Sequence, residues 1–414
     1  MDLRVALVSL HTSPLDAPGH GDAGGMNVYL VGLADALARR GVDVELLTRA
    51  TDGEQAAGRA PDRTPGGVPV RFLPAGPAAA VAKAELPALT AEFARSMRRL
   101  PRFDVVHSHY WLSGRAAAPV AAAWGAPHVL SLHTVAALKN QRLAPGDRAE
   151  PLERLEAERM LVRGSALTVA ATEAERHAIL ADVGAGEDGE RVVVIPPGVD
   201  TSLFRPAASG DRAPTRPTVL MLARIQPLKG VDLALAALSA IPAARRPLLV
   251  IAGGVSPGQD EYARGLERQV AASGLLGDVL FLPAQPRSEA ARLLREATLL
   301  IVPSHSETFG LVALEAAASG TPVVAARAGG LVESVADGVS GVLVDGRDPV
   351  VWAGVLDALL QDPHRLAVLS GTAREYGRRR GWAVTAADIV GHYERLLGRN
   401  GAAAAPAPSE ETTP

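Results

Sequence analysis

The chain has 414 residues, 48% of them hydrophobic and 21% charged, with a formal net charge of −3. That length exceeds one ordinary core and favours two domains, and the charge balance offers no basic field for nucleic acid. Cysteine is absent, which excludes disulfides, zinc thiolates and thiol nucleophiles.

The opening apolar stretch in "MDLRVALVSLHTS" (1–13) is too short for a signal peptide, and no cleavage pattern follows it. It reads as a buried strand at 4–10. A helix at 26–41 follows, with apolar residues at spacings of three and four and Gly41 as its stop. Further strands are expected at 43–48, 104–109, 128–133 and 167–172. Residues 194–218 are rich in Pro, Gly and polar residues, a linker composition. The alternation then restarts, with strands at 218–224, 247–254, 278–284, 299–304, 322–327 and 341–345. A last helical pattern covers 385–397, and 399–414 is a low-complexity tail expected to be disordered. No run reaches about 18 uninterrupted apolar residues, so no membrane span is expected, and a cytoplasmic protein is the default.

Strict β-α alternation calls for parallel, doubly wound sheets. Two such halves create a cleft between the carboxyl ends of their strands, where ligands bind in sheets of this kind. Five loops carry candidate chemistry. "HGDAGGMNVYL" (20–30) lies between a strand and a helix, and Gly24 and Gly25 would let an anion approach bare backbone, with Asp22 and Asn27 alongside. "HSHYWLSG" (107–114) places His109, Tyr110 and Ser113 at a strand end, and His133 with Thr134 follows another. "ARIQPLKG" (223–230) puts Arg224 and Lys229 just past a strand, two cations suited to a diphosphate.

"SHSETFGLVALEAAASGTPVVA" (304–325) is the most specific string. Glu307 falls in its loop and Glu315 a little over one turn inside the helix. The N–H groups of Phe309, Gly310 and Leu311 would form an anion site at the helix start. An acidic residue favoured by the helix dipole explains one glutamate but not the whole string.

"SETFGLVALEA" (306–316) resembles the Glu-x7-Glu motif of retaining glycosyltransferases with the GT-B fold, two Rossmann-like domains whose parallel sheets face each other across a cleft. With the loops above and "AKAELP" (82–87), the chain is similar, over nearly its whole length, to the D-inositol 3-phosphate glycosyltransferase branch of mycothiol biosynthesis. The resemblance implies transfer of N-acetylglucosamine from UDP-N-acetylglucosamine to 1D-myo-inositol 3-phosphate. It implies that the UDP-sugar is a co-substrate, that no cofactor or catalytic metal is required, and that the protein is a homodimer.

Carried over, the resemblance makes His133, Arg224, Lys229 and Glu307 catalytic. It places Gly24, Gly25, Thr308, Phe309, Gly310, Leu311 and Glu315 at the donor. It places Asn27, Lys83, Tyr110, Thr134 and Arg154 at the acceptor phosphate. Read from the residues alone, Lys83 and Arg154 are solvated surface charges. Where the branch has an arginine beside the uracil, this chain has Gln285, with Arg287 two positions on. The resemblance also implies an acceptor-side domain over 1–200, completed by a helix at 384–398, and a nucleotide-sugar domain over 201–383. Alternatives within the fold are a sugar-phosphate acceptor, as in sucrose-phosphate synthase, or an aminocyclitol. An alternative of another class is a non-catalytic nucleotide-sugar binder.

Overall fold

A computed structural model describes residues 3–19, 23–59, 62–141, 143, 149–182, 186–206 and 216–398. Asp22, residues 207–215 of the 194–218 linker and the 399–414 tail lie outside these residues.

The first half builds a seven-stranded sheet. Its strands are β1 (Arg4–Ser9), β2 (Asp43–Arg49), β3 (Val70–Leu73), β4 (Val105–His109), β5 (His128–Ser131), β6 (Leu167–Ala170) and β7 (Val192–Val194). They pair in parallel in the order β3-β2-β1-β4-β5-β6-β7. The second half builds a six-stranded parallel sheet from β8 (Thr218–Leu222), β9 (Leu248–Ala252), β10 (Val279–Leu282), β11 (Leu299–Val302), β12 (Val323–Ala326) and β13 (Gly341–Val344). Its order is β10-β9-β8-β11-β12-β13. β3 and β7 were not anticipated. β3 has four residues with an exposed Arg71, and β7 has three at the sheet edge, so neither shows a long apolar run.

Continuous apolar runs form strands covered on both faces. In β1, Ala6 and Val8 face one core while Val5 and Leu7 face another. The second of these cores includes Trp382, Ile389, Val390 and Tyr393 from the C-terminal helix Trp382–Leu396. That helix therefore packs on the first sheet, against the helix Gly25–Arg39. Gly32 makes the fit possible, because a Cβ there would lie 2.2 Å from the Trp382 ring.

Each sheet reverses its strand order once, between β1 and β4 and between β8 and β11. Ligands bind outside such switch points. The loops leaving these four strands carry most of the residues singled out above. The two halves also touch directly. Gly254 passes so near Gly19 that a Cβ would stand 2.8 Å from the Gly19 carbonyl. The Glu333 carboxylate accepts hydrogen bonds from the backbone N–H groups of Glu173 (2.9 Å) and Ala174 (3.2 Å). A second-half residue thus caps a first-half helix, Glu173–Asp182.

Candidate active site

A cleft of about 250 Å³ separates the sheets. Gly24 and Gly25 line one wall, and Arg224, Lys229, Glu307, Gly310, Leu311 and Glu315 line the other. The glycine loop and the Glu-x7-Glu helix meet across it: a Cβ on Gly25 would lie 3.6 Å from Leu311 Cδ1, and one on Gly24 would meet nothing within 4 Å among the described residues.

Lys229 ends a short turn after β8, and its Nζ donates to Glu307 Oε1 at 2.6 Å. Ser304 Oγ donates to the same oxygen at 2.8 Å. The following Gly230 has φ 70°, and a Cβ there would come within 2.2 Å of the Pro303 carbonyl. Only glycine brings the lysine turn this close to the glutamate loop. Arg224 lines the same wall.

Gly310, at φ 92°, starts the helix Leu311–Ser319, and no side chain caps it. An uncapped start carries partial positive charge and open N–H donors. Phe309 is buried in the second-half core and lines neither the cleft nor the smaller cavity beside it. Thr308 borders a smaller cavity, which Glu307 shares with Thr134. Glu315 is buried, which pushes its carboxyl up from the ordinary range, and Arg287 opposes the shift. Arg287 Nη1 donates to Glu315 Oε1 at 2.9 Å, and its guanidinium lies 4.9 Å from the Phe204 ring centre. Gln285 also lines the cleft, with its amide donating to the Pro283 carbonyl.

Of the residues expected at the acceptor phosphate, Lys83 and Arg154 gather around Tyr110. Arg154 sits 4.8 Å above its ring centre and Lys83 Nζ 5.3 Å from it. Lys83 is exposed, as its surroundings suggested. Arg154 corrects the reading of a solvated charge: it is 2% exposed, on the helix Leu152–Gly164. It donates to the Thr134 carbonyl and hydroxyl, both at 2.8 Å, and pairs with Glu158 (2.7 Å) and Glu150 (2.9 Å). Lys139 also pairs with Glu150.

Asn27 has both ends of its amide engaged. Its Oδ1 accepts from Gly24 N, and its Nδ2 donates to Thr12 Oγ1 and the Ser13 carbonyl. It ties the glycine loop to the turn after β1. Ser113 turns inward and accepts from Leu10 N.

Tyr110 (φ 76°) and His133 (φ 60°) are the two non-glycine residues with positive φ among those described. Such strain gathers at functional sites. His133 lines neither cavity. It is half-buried beside Tyr29, with Nε2 hydrogen-bonded to His109 Nδ1 at 2.9 Å. Burial pulls its pKa down to about 3.

Two further residues, His11 and Arg49, were not anticipated, and Arg287 was expected only as an arginine displaced from the uracil position. His11 packs on Tyr110 at 4.3 Å between ring centres, and burial holds its pKa well below the ordinary value. Arg287 reaches the cleft from the first residue of the helix after β10, Arg287–Glu296. Arg49 is buried and donates to the carbonyls of Ala75, Pro77 and Ala79, bracing the stretch that leads to Lys83. Only their position at or after strand ends could have marked them.

Among the described residues no helix is long and apolar enough to cross a membrane. Residues 23–203 match the family described as Glycosyltransferase Family 4, and residues 207–376 match Glycosyl transferases group 1. A D-inositol 3-phosphate glycosyltransferase of Stackebrandtia nassauensis is 43% identical, over 96% of this chain and 92% of the relative. One of Xylanimonas cellulosilytica is 44% identical, over 96% and 97%. Among solved structures, sucrose-phosphate synthase of Thermosynechococcus elongatus superposes with a TM-score of 0.85 at 27% identity, over 96% of this chain and 99% of that one. Anabaena HepE in complex with UDP and glucose has the same fold, with a TM-score of 0.75 at 21% identity over 95% and 100%.

Proposed function

The chain belongs to the D-inositol 3-phosphate glycosyltransferases within the group 1 glycosyltransferases, and from that premise we propose its substrates and the work of its residues. It moves N-acetylglucosamine from UDP-N-acetylglucosamine to 1D-myo-inositol 3-phosphate, with retention, in the cytoplasm and as a homodimer. The observation that carries the reading is the gathering of Lys83 and Arg154 around Tyr110, with Arg154 bonded to Thr134, which shares a cavity with Glu307 of the cleft wall. Two cations around one tyrosine suit a phosphate-bearing acceptor. The cleft suits a nucleotide diphosphate sugar.

In this reading Arg224, Lys229 and the uncapped Leu311–Ser319 helix receive the diphosphate. Charge grows on it as the sugar–phosphate bond breaks, and fixed cations and dipoles act most strongly there. They supply the positive charge without a metal. Glu315 accepts the ribose hydroxyls, Glu307 and the backbone of 308–311 orient the sugar, and His133 contacts it from the opposite half. Gly24 and Gly25 let the diphosphate lie on backbone, and Asn27 holds that loop in shape. No carboxylate is assigned as nucleophile. The acceptor oxygen attacks on the face the diphosphate leaves, and the departing phosphate oxygen takes its proton. Residues 1–200 with 384–398 then form the acceptor-side domain and 201–383 the donor side, closing around the donor.

The test is UDP release with N-acetylglucosamine transfer to inositol 3-phosphate, alongside free inositol and fructose 6-phosphate. Equal turnover of free inositol would remove the phosphate roles of Lys83 and Arg154. The likeness to sucrose-phosphate synthase supports a second reading, a sugar-phosphate acceptor. Preference for fructose 6-phosphate would establish it.

A further inference from the structure

His133 Nε2 and His109 Nδ1 share one hydrogen bond, and one proton must lie between them. Two neutral arrangements are available. In the first, His133 carries its proton on Nε2 and donates it. His109 then carries its proton on Nε2, a buried atom with no hydrogen-bond partner among the described residues. In the second, His109 carries its proton on Nδ1 and donates it. The buried His109 Nε2 is then a bare lone pair, and His133 carries its proton on Nδ1. A buried N–H without a partner is rarer than an under-used acceptor, and it forfeits the full desolvation cost of the donor.

The surroundings remove other escapes. His107 stacks on His109 with ring centres 4.3 Å apart. Its nitrogens are taken by the Tyr393 hydroxyl (2.7 Å) and Ser131 Oγ (2.9 Å), so neither serves His109. Burial holds all three rings below the ordinary histidine range, and repulsion from neighbouring rings adds to it at His107 and His109, so a shared imidazolium is disfavoured.

We propose that His109 is a positioning residue: its Nδ1–H locks His133 as the Nδ1–H tautomer, so that His133 offers the ligand a hydrogen-bond donor and not a base. This rests on the reading of His133 as a substrate contact. Under it, His133 donates to an oxygen of the ligand and takes no proton from the acceptor hydroxyl. That proton passes to the diphosphate oxygen, which receives the electron pair of the breaking sugar–oxygen bond while the acceptor oxygen forms the new one.

The test is side-chain ¹⁵N spectroscopy of the full-length labelled protein, with His133 assigned by a His133→Gln variant. The expected spectrum has a pyrrole-type Nδ1 and a pyridine-type Nε2 on His133. His109→Asn, whose amide N–H can replace the donor, should keep that tautomer and most of kcat. His109→Leu should move His133 toward the Nε2–H form and lower kcat about tenfold, the scale of one neutral hydrogen bond. A wild-type His133 protonated on Nε2 overturns the proposal, and so does a tautomer unchanged in His109→Leu. If that variant does not fold, the wild-type and His109→Asn spectra still decide. Unaltered kcat in His133→Ala would instead refute the substrate contact and leave the tautomer result standing.

Discussion

Arg287 and Glu315 form a 2.9 Å ion pair inside the cleft, joining the helix after β10 to the second glutamate of the Glu-x7-Glu string. The pair sets two effects against each other on one buried carboxylate. Burial favours the neutral acid, and the guanidinium holds the charge. Arg287→Leu removes only the opposing charge, so the Glu315 pKa rises further and the acid form persists to higher pH. Donor affinity should fall by about ten- to a hundredfold, the scale of a charge-assisted hydrogen bond, and fall more steeply than wild type as the solution is acidified. Calorimetric titration with UDP at mildly basic and mildly acidic pH checks this; parallel pH dependences would contradict it.

Lys229 and Glu307 pair on the same wall, so a bound diphosphate must compete for the lysine. Lys229→Ala should lower kcat by about 10²–10³, the usual cost of one donor to developing charge. Both side chains keep some exposure, so thermal stability should change little. Steady-state kinetics with a parallel melt separates these effects, and a large drop in melting temperature would recast the lysine as structural.

Lys83 and Arg154 should fail differently although both are assigned to one phosphate. Lys83 is exposed, and Lys83→Ala should raise the acceptor KM with stability within about 0.5 kcal/mol of wild type. Arg154→Met leaves Glu150 and Glu158 without their buried partner and should cost about 3–5 kcal/mol. Urea denaturation beside acceptor kinetics tests the contrast. Equal stabilities would show that Arg154 is not the hub of this ion network.

Gly25→Val should impair turnover far more than folding. Its Cβ would make an ordinary contact with Leu311, but the two methyls beyond it would enter the cleft the donor needs. Near-normal activity in the variant would reduce the glycine loop to a turn.

Stability should weaken in mild acid. Burial holds His107, His109 and His128 below their ordinary value, His128 at about 4. Below about pH 6.5 the unfolded chain binds protons that the folded rings refuse, so each ring removes up to about 1.4 kcal/mol per pH unit. Their contribution is whole above that pH and is lost as pH falls toward the folded values. Glu175 acts in the opposite sense, because burial raises its carboxyl to about 7. With His11, His133 and His392, six lowered rings stand against five raised carboxyls among the described residues, Asp16, Asp35, Glu158, Glu175 and Glu315. Denaturation midpoints measured across this range should fall with acid, and His128→Asn should flatten the slope.

The apolar runs of β1, β8 and β11 were legible because a strand buried on both faces has to be apolar throughout. The Glu307–Glu315 spacing was legible because one loop and one helix turn separate the two. The burial of Arg154 left a trace that went unread: glutamates stand four residues before and after it, at 150 and 158. Nothing nearby in sequence announced His11 or the pairing of Arg287 with Glu315. Arg287 meets its partner 28 positions away, and His11 meets Tyr110 across two strands of the sheet.

By itself the amino-acid sequence determined the order of strands and helices, the loops with glycine freedom and the charges those loops carry. These follow from local periodicity and from backbone sterics that each residue brings with it. The tertiary structure decided which charges meet: Lys229 with Glu307, Arg287 with Glu315, Arg154 with Thr134, and His109 with His133. The physical reason is the parallel sheet. Each strand must be followed by a long crossover before its neighbour is laid down, so loops that share one end of a sheet come from distant parts of the chain.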